Sequence, residues 1–178
     1  NGTNISAPTP YAPLMADGHS FGVYHGSAIY FPLLLESLPY DSYPAKNLDW
    51  FFEDAENGDL PNVSVIEPIF SVNDDHPPAD VLQGQVFVSS IYEALRQSPH
   101  WENCLMLVFY DEHGGFYDHQ PPEKAKGETR AAEGFDQLGF RVPGLAIGPM
   151  TQGGKVFSEP VDHSSLPKLI ADIFGQEP

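Results

Sequence analysis

Residues 105–109, Leu-Met-Leu-Val-Phe, are an unbroken apolar run that ends directly on Tyr110-Asp111-Glu112-His113-Gly114-Gly115-Phe116-Tyr117-Asp118-His119. A run this short and this apolar, bounded by turn residues, reads as a strand buried on both faces, as in a parallel sheet. In an open α/β sheet, ligands bind in the crevice beyond the carboxyl ends of the strands. Two adjacent carboxylates, two histidines and a glycine pair crowd that end. Hard oxygen donors and imidazoles at such a place suit metal-assisted chemistry, with a phosphate ester as the expected target.

The rest of the chain supplies the sheet's other layers. Leu48, Phe51, Phe52 and Ala55 recur at helical spacing over residues 47–57, and Gly58 stops the helix. Residues 63–70 alternate β-branched side chains with others and read as a strand. Residues 79–98 repeat Val81, Gln85, Val88, Tyr92 and Leu95 at helical spacing with Ile91 beside them, weakened a little by Gly84. Residues 141–147 read as a third strand, with Pro143 marking an edge or a start, and Val156-Phe157 as a short one. Residues 163–174 close with a helix that Ser164 or Ser165 can cap and whose first turn tolerates Pro167. The order predicts an α/β fold, a mainly parallel sheet flanked by helices. Residues 1–30, rich in Gly, Pro, Ser and Tyr, read as an irregular N-terminal segment and residues 31–178 as the domain proper, its apolar residues 30–38 able to start a helix after Pro32.

A length of 178 residues is one domain's worth, and 41% hydrophobic residues argue against disorder. The formal charge of −17 repels nucleic acid and anionic lipid at long range, so no nucleic-acid partner is expected. A bound divalent cation would reverse the sign of that field locally. The one cysteine, Cys104, excludes an intrachain disulfide and reads as a buried, inert thiol. No apolar run in these residues is long enough to span a membrane, and none reads as a signal peptide, so any targeting segment is expected upstream of Asn1. The chain starts at Asn1 rather than methionine, as expected of a processed product or a fragment; Asn1, Asn4 and Asn62 fit the glycosylation pattern, which is common by chance.

Within the motif, Asp111 and Glu112 point to opposite faces if the strand continues through them. Both reach one cation only if the chain turns after Tyr110, and Gly114-Gly115 makes that turn cheap. His113 and His119 suit a supporting role around a metal, with a structural cap through Asp118 as the alternative for His119. His76, in Asp74-Asp75-His76-Pro77-Pro78, follows the strand at 63–70 and so falls on the same rim, stiffened by two prolines. His163 precedes the last helix, where an imidazole or an anion is well held. His19 and His25 lie in the irregular start, and His100 on the surface.

These residues resemble a known family. The motif at 110–119 followed by Pro121-Pro122 is similar to the hallmark of the phosphoesterases comprising bacterial and plant (non-specific) phospholipase C and acid phosphatase. Further blocks follow in order: residues 57–68, Asp75-His76-Pro77-Pro78 with Gly84-Gln85, residues 98–103, residues 135–143, and Asp162-His163-Ser164-Ser165. Together they cover residues 30–174, which makes chance an inadequate explanation.

The resemblance implies a partial alkaline-phosphatase-like fold and hydrolysis of phosphate monoesters or diesters through a phosphorylated enzyme. It assigns Asp111 and Glu112 as metal ligands, and His76 and His25 to the catalytic phosphate site. The cofactor implied is a divalent metal ion, with calcium, manganese and iron all compatible. The substrate implied is a phosphate ester, phospholipids included, and the location secreted or periplasmic. The family also uses a Glu-Asn pair and a Ser or Thr nucleophile upstream of the matched region, and nothing in residues 1–30 resembles either. The expectation is thus the C-terminal part of the enzyme, with its nucleophile outside this chain. The alternatives are a non-catalytic acidic domain that binds a cation or a protein, and an inactive fragment.

Overall fold

The computed structural model describes residues 9–28, 43–125 and 130–176. The helix start expected at 30–38 and the glycosylation patterns at Asn1 and Asn4 lie outside the described residues. The element order is α1 (Tyr11–Ala16), β1 (Phe21–His25), β2 (Ala45–Asn47), α2 (Asp49–Asn57), β3 (Val63–Glu67), α3 (Val81–Gln97), β4 (Met106–Phe109), β5 (Gly144–Ile147) and α4 (Ser165–Phe174).

The main sheet has the order β2-β1-β3, all parallel, with Val23 opposite both Ala45 and Val65. Its central strand lies in the segment that the sequence presented as irregular, so that expectation is corrected. The physical reason is that β1 is short and buried from both sides. Phe21 and Val23 face a cluster with Leu14 of α1 and Ile170 of α4, while Tyr24 faces Phe51 and Ala55 of α2 and Ile91 and Leu95 of α3. Alternation puts neighbouring strand residues on opposite faces, and here both faces are apolar. Each such side chain contributes about 1.5–3 kcal/mol when fully buried.

A second correction concerns β4, expected as a strand of the parallel sheet buried on both faces. Among the described residues it pairs with β5 alone, antiparallel, Phe109 with Gly144 and Met106 with Ile147, in a separate two-stranded sheet, and Leu105 and Phe109 are exposed. Pro143 stands just before β5 rather than inside it, as its missing N–H requires. β3 ends at Glu67 because Pro68 follows, and Ile69 then accepts from Val72 N and Asn73 N in a turn. The strand expected at Val156-Phe157 is absent from the described residues, and both side chains are exposed.

α2, α3 and α4 follow their sequence signals closely, whereas α1 lies in the segment expected to be irregular. α2 ends on Gly58 at φ 77°, in the left-handed region that favours glycine. α3 starts on Asp80, whose side chain accepts from Leu82 N at 3.0 Å. α4 takes Ser164 as its N-cap residue, yet the capping oxygen comes from Asp162, which accepts from Ser164 N at 2.8 Å. Cys104 is half-buried just before β4, and burial pushes its thiol pKa up. Among the described residues no helix is long and apolar enough to cross a membrane.

Candidate active site

The carboxyl ends of the parallel strands β1 and β3 open on one rim, and the loop after β4, a strand of the second sheet, packs against it. β1 and β3 are parallel, so His25 at the end of one lies beside Glu67 at the end of the other. The loops beyond them are packed together: Ser27 Oγ accepts from Phe70 N at 2.9 Å, and a Cβ on Gly26 would stand 2.3 Å from Ile69. The loop after β3 then reaches the loop after β4, where a Cβ on Gly114 would be 3.4 Å from Pro77. The structure therefore places the His25, His76 and Asp111 loops along one continuous edge.

Each loop is held by its own backbone. Asp74 accepts from Ser71 N at 2.8 Å and from His76 N at 3.3 Å. His76 Nδ1–H donates to Pro77 O at 2.9 Å, which fixes the ring and leaves Nε2 for another partner. His25 Nδ1–H donates to Ser27 O at 2.6 Å. In the motif, Gly114 and Gly115 take φ 65° and 78°, the turn that two glycines make cheap. Glu112 N donates to Asp111 Oδ1 at 3.0 Å, and Gly114 N to Glu112 Oε2 at 2.7 Å.

One oxygen of each carboxylate is thus engaged by this loop and the other is not, and both side chains are exposed. Two hard donors on adjacent residues fit a divalent cation as part of a ligand set. They do not complete one: among the described residues no group of three or more His, Cys, Asp or Glu side chains is placed to hold a metal ion.

The remaining histidines differ in placement. His113 packs edge-on against Phe140 at 4.7 Å, with Nδ1 buried and without a hydrogen-bond partner among the described residues. His163 Nε2–H donates to Tyr110 O at 2.8 Å, and its ring lies 6.1 Å from Phe109. His119 is 83% exposed in its side chain and lies 3.6 Å from Asp118. His100 lies away from the rim and donates through Nε2 to Gly58 O at 2.7 Å.

Two pairs in this region were not foreseen from sequence. Arg141, just before β5, forms a two-point bond to Asp118 at 2.8 Å on each oxygen. That guanidinium, helped by Gln120 N, holds the Asp118 carboxyl well below the usual carboxylate range. The second pair is Tyr110 and Asp75: the phenol donates to Asp75 Oδ2. That bond, with burial, pushes the Tyr110 pKa up to about 12. The one sequence signal for the second pair was Gly84 in mid-helix, a residue type that marks a close approach. A groove of about 400 Å³ lies between α3 and β4–β5, lined by Val88, Tyr92, Leu145, Asp75 and Tyr110 among others.

The model of the phosphoesterase family matches residues 4–176. The chain is 39% identical over 195 residues to non-specific phospholipase C1 of Arabidopsis thaliana, covering 94% of this chain and 36% of that protein. It is 36% identical over 149 residues to phospholipase C B of Mycobacterium tuberculosis, covering 74% of this chain and 28% of that protein. With the hemolytic phospholipase C of Pseudomonas aeruginosa the identity is 34% over 146 residues, 74% of this chain and 20% of that protein. The chain thus spans about a third or less of the length of these relatives.

Proposed function

The chain belongs to the phosphoesterase family, and from that membership and the rim geometry we propose that it carries part of the active site of a metal-dependent phosphoester hydrolase of the phospholipase C type. The supporting observation is that the loops carrying His76 and the Asp111–Glu112 pair are in contact at one rim, through Gly114 and Pro77.

In this proposal Asp111 and Glu112 hold a divalent cation, calcium, manganese or iron, through the oxygens that their own loop leaves unengaged. When bound, such an ion neutralises charge on phosphoryl oxygens and acidifies a coordinated nucleophile. His76, fixed through Nδ1, offers Nε2 to a phosphate oxygen or to the leaving group. His25, at the end of the central strand, is a second histidine of the phosphate site. His113 and His163 support the motif loop from behind, and His119 lies at its exposed end. The nucleophile and the remaining ligands come from outside these 178 residues. The substrate is a phosphate ester, with phospholipid suggested by the names of the relatives, and the location is secreted or periplasmic, as the resemblance of the motifs implies.

The test is hydrolysis of p-nitrophenyl phosphate and phosphatidylcholine by this chain and by the complete gene product. The expected result is turnover by the complete product, lost in Asp111→Ala. Full activity of the 178-residue chain alone would show that the nucleophile has been misplaced.

A further inference from the structure

Asp75 directly precedes His76, and Tyr110 directly precedes Asp111. Neither has a role in the chemistry above, yet the two meet across 35 positions of sequence through the phenol–carboxylate bond. The other oxygen, Asp75 Oδ1, is buried and has no hydrogen-bond partner among the described residues. Tyr110 is therefore the partner on which this carboxylate depends. Asp75 also adopts φ 58°, a left-handed conformation that a non-glycine residue keeps only when its surroundings enforce it.

The enforcement is visible on both sides. The carboxylate lies against α3 at Gly84, where a Cβ would stand 1.9 Å from Oδ1. Any side chain at position 84 would expel it. On the far side, the Tyr110 carbonyl accepts from His163 at the start of α4. Asp75 and His163, distant in sequence, thus both bond to Tyr110, and Asp75 and Tyr110 each adjoin a residue of the proposed site.

We propose that Asp75, Tyr110 and His163 form a positioning clamp, with Gly84 as its clearance, that sets the spacing between His76 and the Asp111–Glu112 pair. The clamp rests on the phosphoester reading of those three residues. Its members touch neither substrate nor cation. They act by holding two loops in register, and small errors in such register cost large factors in rate.

The test uses Tyr110→Phe, Gly84→Ala and Asp75→Asn in the complete gene product. Three quantities are read: kcat and KM on p-nitrophenyl phosphate, the affinity for manganese by calorimetry, and amide exchange in the loops after β3 and β4. Tyr110→Phe and Gly84→Ala should each lower kcat about tenfold with little change in KM. Each should weaken manganese binding several-fold and speed exchange in both loops.

Gly84→Ala separates the clamp from general destabilisation, because alanine is the better helix former and α3 itself should strengthen. The double variant Tyr110→Phe/Asp75→Asn should be no worse than the poorer single one. Wild-type kcat and manganese affinity in Tyr110→Phe and Gly84→Ala, with Asp111→Ala inactive, would overturn the clamp and leave the phosphoester reading standing. If Asp111→Ala kept full activity, that reading would fail instead. Loop exchange would then decide the clamp by itself, and unchanged exchange in Tyr110→Phe would end it.

Discussion

Tyr24→Phe is the substitution that most directly tests the fold, because it removes one hydroxyl from the middle of the central strand. Tyr24 is 1% exposed, and its hydroxyl donates to Asp54 Oδ2 at 2.5 Å. Asp54 is 6% exposed, and the same oxygen accepts from Lys46 Nζ at 2.6 Å. Lys46 stands opposite Tyr24 in the β1–β2 register, so this carboxylate ties α2 to two strands at once. The ring would remain packed edge-on against Phe51 at 5.5 Å, so the substitution deletes the hydrogen bond and little else. A hydrogen bond to a charged acceptor is worth roughly 1.5–3 kcal/mol net. Lys46 still compensates Asp54 in the variant, which favours the lower end, about 2 kcal/mol. With a urea slope of about 2 kcal/mol per molar, typical of small proteins, the unfolding midpoint should fall by about 1 M. The assay is urea denaturation followed by circular dichroism and by tryptophan fluorescence, with coincident curves as the check on two-state behaviour. A loss below about 0.5 kcal/mol is what surface positions give. That result would mean that the hydroxyl is solvated and that Tyr24 does not meet Asp54 in the interior.

The same carboxylate sets a pH dependence. Burial pushes the Asp54 pKa up, but the bonds from Lys46 and Tyr24 together outweigh it and hold the folded value below the usual 3.8. A group with a depressed folded pKa contributes stability above its unfolded pKa and loses it as pH falls through the folded one. Stability should therefore decline below about pH 4, measured as urea midpoint against pH, and Lys46→Met should flatten that decline because burial is then left to dominate. Cys104, with its thiol pKa raised by burial, should react with iodoacetamide at pH 8 several-fold more slowly than free cysteine, and at the free rate in urea. Native and denatured rates that coincide would place this thiol on the open surface.

Helical periodicity was legible because α2 and α3 each present one apolar face. Leu48, Phe51 and Ala55 are buried as their spacing predicts, though Phe52 beside them is 37% exposed. The stripe of α3 is right at Ile91 and Leu95 and fails at Val81, which the fold leaves exposed. β1 left no such trace. Its residues are apolar toward both layers, so no alternation marks it, and Gly22 reads as loop. Gly22 is there because Pro61 leaves no room, with a Cβ only 2.8 Å from its ring. The direction of β5 was equally hidden, since a proline marks where a strand starts and not which way its neighbour runs.

The motif loop was readable for the opposite reason: its carboxylates, histidines and glycines are contiguous, so spacing alone brings them together. Contacts made across long stretches of chain had no such marker. Gly84 shows the difference most clearly. As helix grammar it is a small defect, costing about 1 kcal/mol against alanine. In three dimensions the missing side chain is what admits the Asp75 carboxylate to the face of α3, where Tyr110 can reach it. A local fault that a fold keeps in the interior of a helix points to something pressed against it. Here that is the residue beside His76, and the hydrogen bond it makes runs to the residue beside Asp111.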